Sequence, residues 1–192
     1  MRQAAEADRD RLVASLGGLI VATARAAWAT HPLRVAIDGP DAAGKTTLAE
    51  EIAASIASER PVIRASTDGF HHQADVRRRR GPMSAEGYYR DSFDIDAVVR
   101  SLLDPLGPGG DRRYRAATFD YRTEARARPA VAYRAGRAVL LFDLPGQEIY
   151  RAQVHPYAWA DVVVDNEDVS RPYPLKWPTS RGDGRDGREP PH

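Results

Sequence analysis

Cysteine is absent from this chain, which removes disulfides, thiolate catalysis and zinc-thiolate sites together while fitting any redox compartment. Lysine is nearly absent too: among the 28 basic residues only Lys45 and Lys176 are lysines, so the position of each stands out. Neither sign of charge is in excess. A formal net charge of +1 gives no overall field toward nucleic acid or an anionic membrane. Long apolar runs are missing as well. The best candidate, Leu12 to Ala24, falls short of the roughly 20 residues a bilayer requires. It is broken by Gly17-Gly18 and preceded by Glu6, Asp8 and Asp10, which do not suit a secretory leader. Its Leu12, Leu16, Leu19, Ile20 and Ala24 share one helical face, so residues 1–32 are expected to form an amphipathic helix packed on the domain. The expectation is a cytoplasmic chain without nucleic-acid or membrane partners, its homo-oligomeric state left open. A length of 192 residues is one domain's worth, enough to bury a sizeable core.

What is present is concentrated in Gly39-Pro40-Asp41-Ala42-Ala43-Gly44-Lys45-Thr46-Thr47, a match to G-x-x-x-x-G-K-[ST]. An apolar strand candidate, Leu33 to Ile37, leads into it, and Leu48, Ile52 and Ile56 leave it at helical spacing. Glycines let the backbone curl so that successive N–H groups face phosphate oxygens at the positive end of a helix. Lys45 then neutralises the β- and γ-phosphates and the Thr46 hydroxyl holds Mg²⁺. The bland alternative is a glycine-rich turn before an ordinary helix; the strand-loop-helix context favours ATP.

The rest of the chain alternates strand and helix patterns, as a mostly parallel sheet with flanking helices requires, and the fold class expected is an α/β P-loop NTPase type with about four strands. Pro61 to Ser66 is the second strand, closing at Asp68-Gly69. A helix capped by Asp94 carries Ile95, Val98, Val99, Leu102 and Leu103 and stops at Pro105. Ala138 to Asp143 is apolar on both faces and is expected at the centre of the sheet. A helix from Gln147 to Val154 and a last strand, Asp161 to Asp165, complete a domain spanning 33–169. Residues 170–192 are Pro, Gly and charge without apolar period and are expected as a disordered tail, in which Arg181-Gly182-Asp183 matches an adhesion tripeptide by chance.

Carboxylates at strand ends form a second layer of chemistry. Asp68 and Asp143 should both emerge at the carboxyl edge of the sheet, beside the phosphate loop. One carboxylate there can orient a substrate hydroxyl or take its proton, and another can hold Mg²⁺ directly or through water, Asp143 being the candidate to join Thr46 as a metal ligand. Each is otherwise a turn-former or helix cap.

The stretches Arg34 to Thr47, Asp68-Gly69-Phe70-His71 and Tyr88 to Asp94 resemble the uridine kinase-like nucleoside kinases, relatives of phosphoribulokinase and pantothenate kinase, and the likeness runs over most of Leu33 to Asn166. The resemblance implies transfer of the γ-phosphoryl group of ATP to the 5′-hydroxyl of uridine or cytidine, with Asp68 as catalytic base. It also implies a nucleoside held between Asp68, the segment around Asp91, and the aromatic-Asp-aromatic run Phe119-Asp120-Tyr121, with Arg126 following. His71 is expected on the substrate side, since adjacent His71 and His72 point apart and do not make a metal site.

Two departures from the family pattern matter. Glu124 stands where the family places a base-reading His. Asp143 runs directly into Leu144-Pro145, where the family inserts a helix, a further core strand and an arginine-bearing lid. The chain reads as a nucleoside kinase with its lid excised, in which Arg122, Arg126 or Arg151 are the candidates to replace the lid arginines. Arg77 to Arg80 has no aromatic interleaving and is expected as a solvated loop. The competing functions are a nucleotide-binding protein without turnover, and a P-loop kinase for another small hydroxylated substrate such as pantothenate or a sugar phosphate.

Overall fold

In the computed structural model the described residues are 2–26, 30–127, 131–132, 137–144, 148–169 and 171–178. In chain order the elements are α1 (Arg2–Ala26), β1 (Leu33–Ile37), α2 (Lys45–Ile56), β2 (Val62–Ser66), a 3-10 turn (Thr67–Phe70), α3 (Ala74–Arg77), α4 (Ala85–Asp91) and α5 (Ile95–Val98) running into a π-helical turn (Val99–Leu103). There follow β3 (Arg113–Tyr114), β4 (Phe119–Asp120), β5 (Ala125–Arg126), β6 (Val131–Ala132), β7 (Val139–Asp143), α6 (Glu148–Val154), α7 (Pro156–Trp159), β8 (Val163–Asp165) and β9 (Tyr173–Lys176).

The sheet is parallel, three-stranded and ordered β1-β7-β2. Strand β7 lies at its centre for the reason its composition suggests: all five residues, Val139 to Asp143, are buried, and only a strand covered on both faces tolerates an unbroken apolar run. Side chains alternate across the sheet. Val139 and Leu141 join Ile37, Ile52, Ile56 and the α1 residues Leu12, Val13, Leu16, Ile20 and Val21 in one core cluster. Leu140 and Phe142 join Ile63, Ala65, Phe70, Val98, Leu102 and Leu106 in the other. Each large aliphatic side chain so buried contributes about 1.5–3 kcal/mol.

Helix α1 packs on α2, as its apolar face requires. Gly17 makes the close approach: a Cβ there would meet Ser55 Oγ at 2.6 Å. Asp94 caps α5 by accepting from Ala97 N at 2.8 Å, which stops a backbone N–H going unpaired at the helix start.

Two expectations are corrected. The sheet has three strands, not about four, because β8 does not join it; β8 pairs antiparallel with β9 instead. Part of the tail read as disordered is therefore a strand, Tyr173–Lys176, and Trp177 packs against the α1–α2 core. Apolar period failed as a signal because this strand alternates Tyr and Leu with Pro and Lys, and all four residues are exposed. Residues 179–192 lie outside the described residues.

Among the described residues nothing pairs with the outer edge of β1. Leu33 N donates to Ala138 O and Leu144 N to Ile37 O, so the odd-numbered residues of β1 face β7. The backbone groups of Arg34 and Ala36 consequently point away from the sheet.

Candidate active site

Strand β1 delivers the chain to a turn whose backbone is left-handed at Gly44, with φ 78°, and at Ala42, with φ 62°. The first suits glycine; the second costs an alanine about 1–2 kcal/mol. Strain of this size persists where the surroundings over-determine the backbone. Here Asn166 Nδ2 donates to Ala43 O at 3.0 Å, and Gly39 N donates to Asp38 Oδ1 at 2.7 Å. Lys45 Nζ is folded back on the loop, donating to Gly39 O at 2.9 Å and Pro40 O at 2.8 Å. An arriving phosphate would exchange these neutral acceptors for charged ones.

The loop forms one wall of a cavity of about 320 Å³. Asp41 to Thr46 line one side, Ser66 to Asp68 another, and Asp143, Leu144, Tyr88 and Phe93 close it. Lys45 is the sole cation among the lining residues. The predicted loop residues, Asp68 and Asp143 are thus brought together at the carboxyl edge of the parallel sheet, as their positions at strand ends require. Thr47, next in α2, does not line the cavity.

Asp143 ends β7 and is buried. Neither of its oxygens accepts a hydrogen bond from the described residues. Burial raises its pKa above the usual carboxylate range, and Arg64, Thr46 and Lys45 pull it back down. An orphaned buried carboxylate beside the Thr46 hydroxyl fits a hard divalent cation that takes its remaining ligands from phosphate and water. No group of three or more His, Cys, Asp or Glu able to hold a metal occurs among the described residues, so the protein offers two ligands and no closed cage.

Asp68 sits in the 3-10 turn after β2, where Ser66 Oγ accepts from its N–H at 3.3 Å. Its carbonyl oxygen is 3.0 Å from His71 Nδ1. Around it lies an aromatic group. The His71 ring is 4.5 Å from Phe93 and 4.6 Å from Tyr121, centroid to centroid, and Tyr88 is 6.1 Å from Phe93. Tyr88 also reaches across to the loop, its hydroxyl 3.4 Å from Asp41 Oδ2. Arg122 lies over the Tyr121 ring at 5.7 Å.

Other predicted substrate residues are placed elsewhere. Asp91 has a fully buried side chain, and both oxygens are taken, one by Arg79 and the other by Arg80 Nε at 2.7 Å. These arginines hold its pKa below the usual carboxylate range, and it does not line the cavity. Phe119 is core, Arg126 is exposed on β5 opposite it, and Arg151 is exposed on α6. Glu124 pairs with Arg77 and accepts from Ala74 N at 3.1 Å, so it braces α3. Three of the four arginines are exposed, as a solvated run requires, and three are also ion-paired, because carboxylates distant in sequence fold onto them.

Sequence reasoning missed Arg64, Tyr150 and Asn166. Arg64 Nη2 lies 3.5 Å from Asp143 Oδ2. Its signal was a charge in mid-strand, where an apolar residue is the norm.

No protein-family profile matches the chain, and no curated protein matches it. Among solved structures it is similar to that of a possible uridine kinase from Bacillus stearothermophilus, at 17% identity and a TM-score of 0.52, over 68% of this chain and 72% of that one. The fold is P-loop kinase-like. Among the described residues no helix is long and apolar enough to cross a membrane.

Proposed function

We propose that this protein binds ATP·Mg²⁺ and transfers the γ-phosphoryl group, slowly, to a hydroxyl of a uridine- or cytidine-like nucleoside. The observation that carries the reading is one cavity lined by Lys45, Thr46, Asp143 and Asp68 together.

The loop N–H groups and Lys45 bind and orient the triphosphate. Thr46 and Asp143 would hold the divalent ion, which when bound neutralises charge on the phosphate oxygens. Asp68 orients the acceptor hydroxyl and takes its proton. The aromatic group of His71, Phe93, Tyr121 and Tyr88 offers flat apolar surface for a base beside Asp68. Glu124, engaged with Arg77, does not read that base.

A second reading, nucleotide binding with little or no turnover, is favoured by the same cavity having Lys45 as its sole lining cation. An arginine closing over the transferring group is worth roughly 10³–10⁵ in rate.

The test is ATP binding measured in parallel with ATP turnover against a panel of nucleosides. Lys45→Ala should weaken ATP about tenfold to a hundredfold, since a charge-assisted phosphate contact is worth roughly 1.5–3 kcal/mol. Unchanged ATP affinity in a folded Lys45→Ala protein would exclude the loop as the site. Binding by the parent without turnover selects the second reading.

A further inference from the structure

Arg64 stands in the middle of β2. Its neighbours Ile63 and Ala65 enter the core on one face, so alternation puts Arg64 on the opposite face, with Val62 and α2. There its Nη2 lies 3.5 Å from Asp143 Oδ2 and 3.4 Å from the carbonyl oxygen of Thr46. Its Nε is buried without a hydrogen-bond partner. The side chain does not line the cavity; it approaches the metal-side carboxylate and the metal-side threonine from behind. A buried carboxylate persists as an anion only with a compensating charge, and a guanidinium is charged at every accessible pH.

We infer that Arg64 is a resident counter-ion for Asp143, a positioning residue that shares the neutralisation of this carboxylate with the divalent ion, so that ATP binding in this protein depends only weakly on Mg²⁺. The inference rests on the reading of the cavity as an ATP site. The guanidinium favours the anionic form of Asp143 against the burial that raises its pKa. It also lowers the repulsion that Asp143 would otherwise exert on metal-free triphosphate, so metal-free and metal-bound ATP converge in affinity.

The experiment is titration calorimetry of ATP into the full chain, once with Mg²⁺ and once with EDTA, for the parent and for Arg64→Met, Arg64→Gln and Arg64→Lys. In the parent the two dissociation constants should agree within about threefold. In Arg64→Met and Arg64→Gln the preference for Mg²⁺ should rise about tenfold or more, the ordinary size of a coupling between two sites. Arg64→Lys, which keeps the charge, should stay near the parent. A purely structural arginine would change both affinities together and leave their ratio alone. An unchanged ratio in both neutral variants, or a parent that already needs Mg²⁺ for binding, overturns the inference while leaving the ATP site standing. No ATP binding by the parent in either buffer overturns the ATP site and the inference together.

Discussion

Tyr150 of α6 donates its hydroxyl to Oδ2 of Asp38 at 2.9 Å, while Oδ1 of the same carboxylate accepts from Gly39 N at 2.7 Å. The helix that follows β7 is thereby tied to the first residue beyond β1 and, through it, to the start of the glycine-rich loop.

Removing that phenol should loosen the loop. Tyr150→Phe should cost about 1.5–3 kcal/mol, the range of a hydrogen bond to a charged acceptor, and lower ATP affinity by a smaller factor than Lys45→Ala. The pH dependence has a definite sign. Burial, then Asp38, raises the Tyr150 hydroxyl well above the ordinary tyrosine range. The contribution is whole while the phenol is protonated in folded and unfolded chains alike. Above about pH 10 the unfolded chain sheds its proton first, and stability falls until the folded hydroxyl ionises as well. Denaturant titrations between pH 8 and 11 should show a shallower alkaline loss in Tyr150→Phe than in the parent; parallel profiles would mean the bond is not formed.

Asp68 should matter for transfer and not for ATP. It lines the cavity from the turn after β2 and not from the loop, so Asp68→Asn should leave the ATP dissociation constant nearly untouched and lower turnover roughly 10²–10⁴-fold. A variant that phosphorylates its acceptor as fast as the parent removes Asp68 from the mechanism.

Asp91 should matter for stability and not for ATP. It is buried between Arg79 and Arg80, and its folded pKa is depressed, by Arg79 above all. The stabilisation is present above the unfolded carboxylate pKa of about 3.9 and is lost as pH falls through the lower folded value. Asp91→Asn should lower the melting temperature by several degrees at neutral pH with little change in ATP affinity. A variant that melts with the parent but has lost nucleoside binding would return Asp91 to the substrate site.

Turnover should be low, and an insertion should raise it. A lid with a core strand placed between Asp143 and Leu144 would pair the open edge of β1 and bring arginine over the cavity. Such a graft should raise both the melting temperature and uridine phosphorylation. If the unmodified chain already turns over at roughly 1–100 per second, the ordinary range for such kinases, the lid is not what limits it.

Local signals proved legible wherever one element's chemistry demanded particular residues. The strand, loop and helix around Gly39 to Thr46 could be read because glycines mark the turn and Leu48, Ile52 and Ile56 mark the helix that follows it. Ala138 to Asp143 could be placed at the sheet's centre because only a doubly covered strand is apolar at every position. Asp94 could be read as a cap because the helix it starts announces itself by period. Asp68 and Asp143 could be brought to one edge because Asp143 ends a parallel strand and Asp68 lies two residues beyond another.

The tertiary structure alone decided which distant charges meet, since period and propensity describe a residue's neighbours in sequence while an ion pair depends on how elements dock. It made Arg77, Arg79 and Arg80 partners of Glu124 and Asp91, and it set Arg64 behind Asp143. It also left β1 at an open edge and sent β8 to pair with β9. A strand's sequence states that its backbone needs a partner, and only the assembled sheet determines which one it gets.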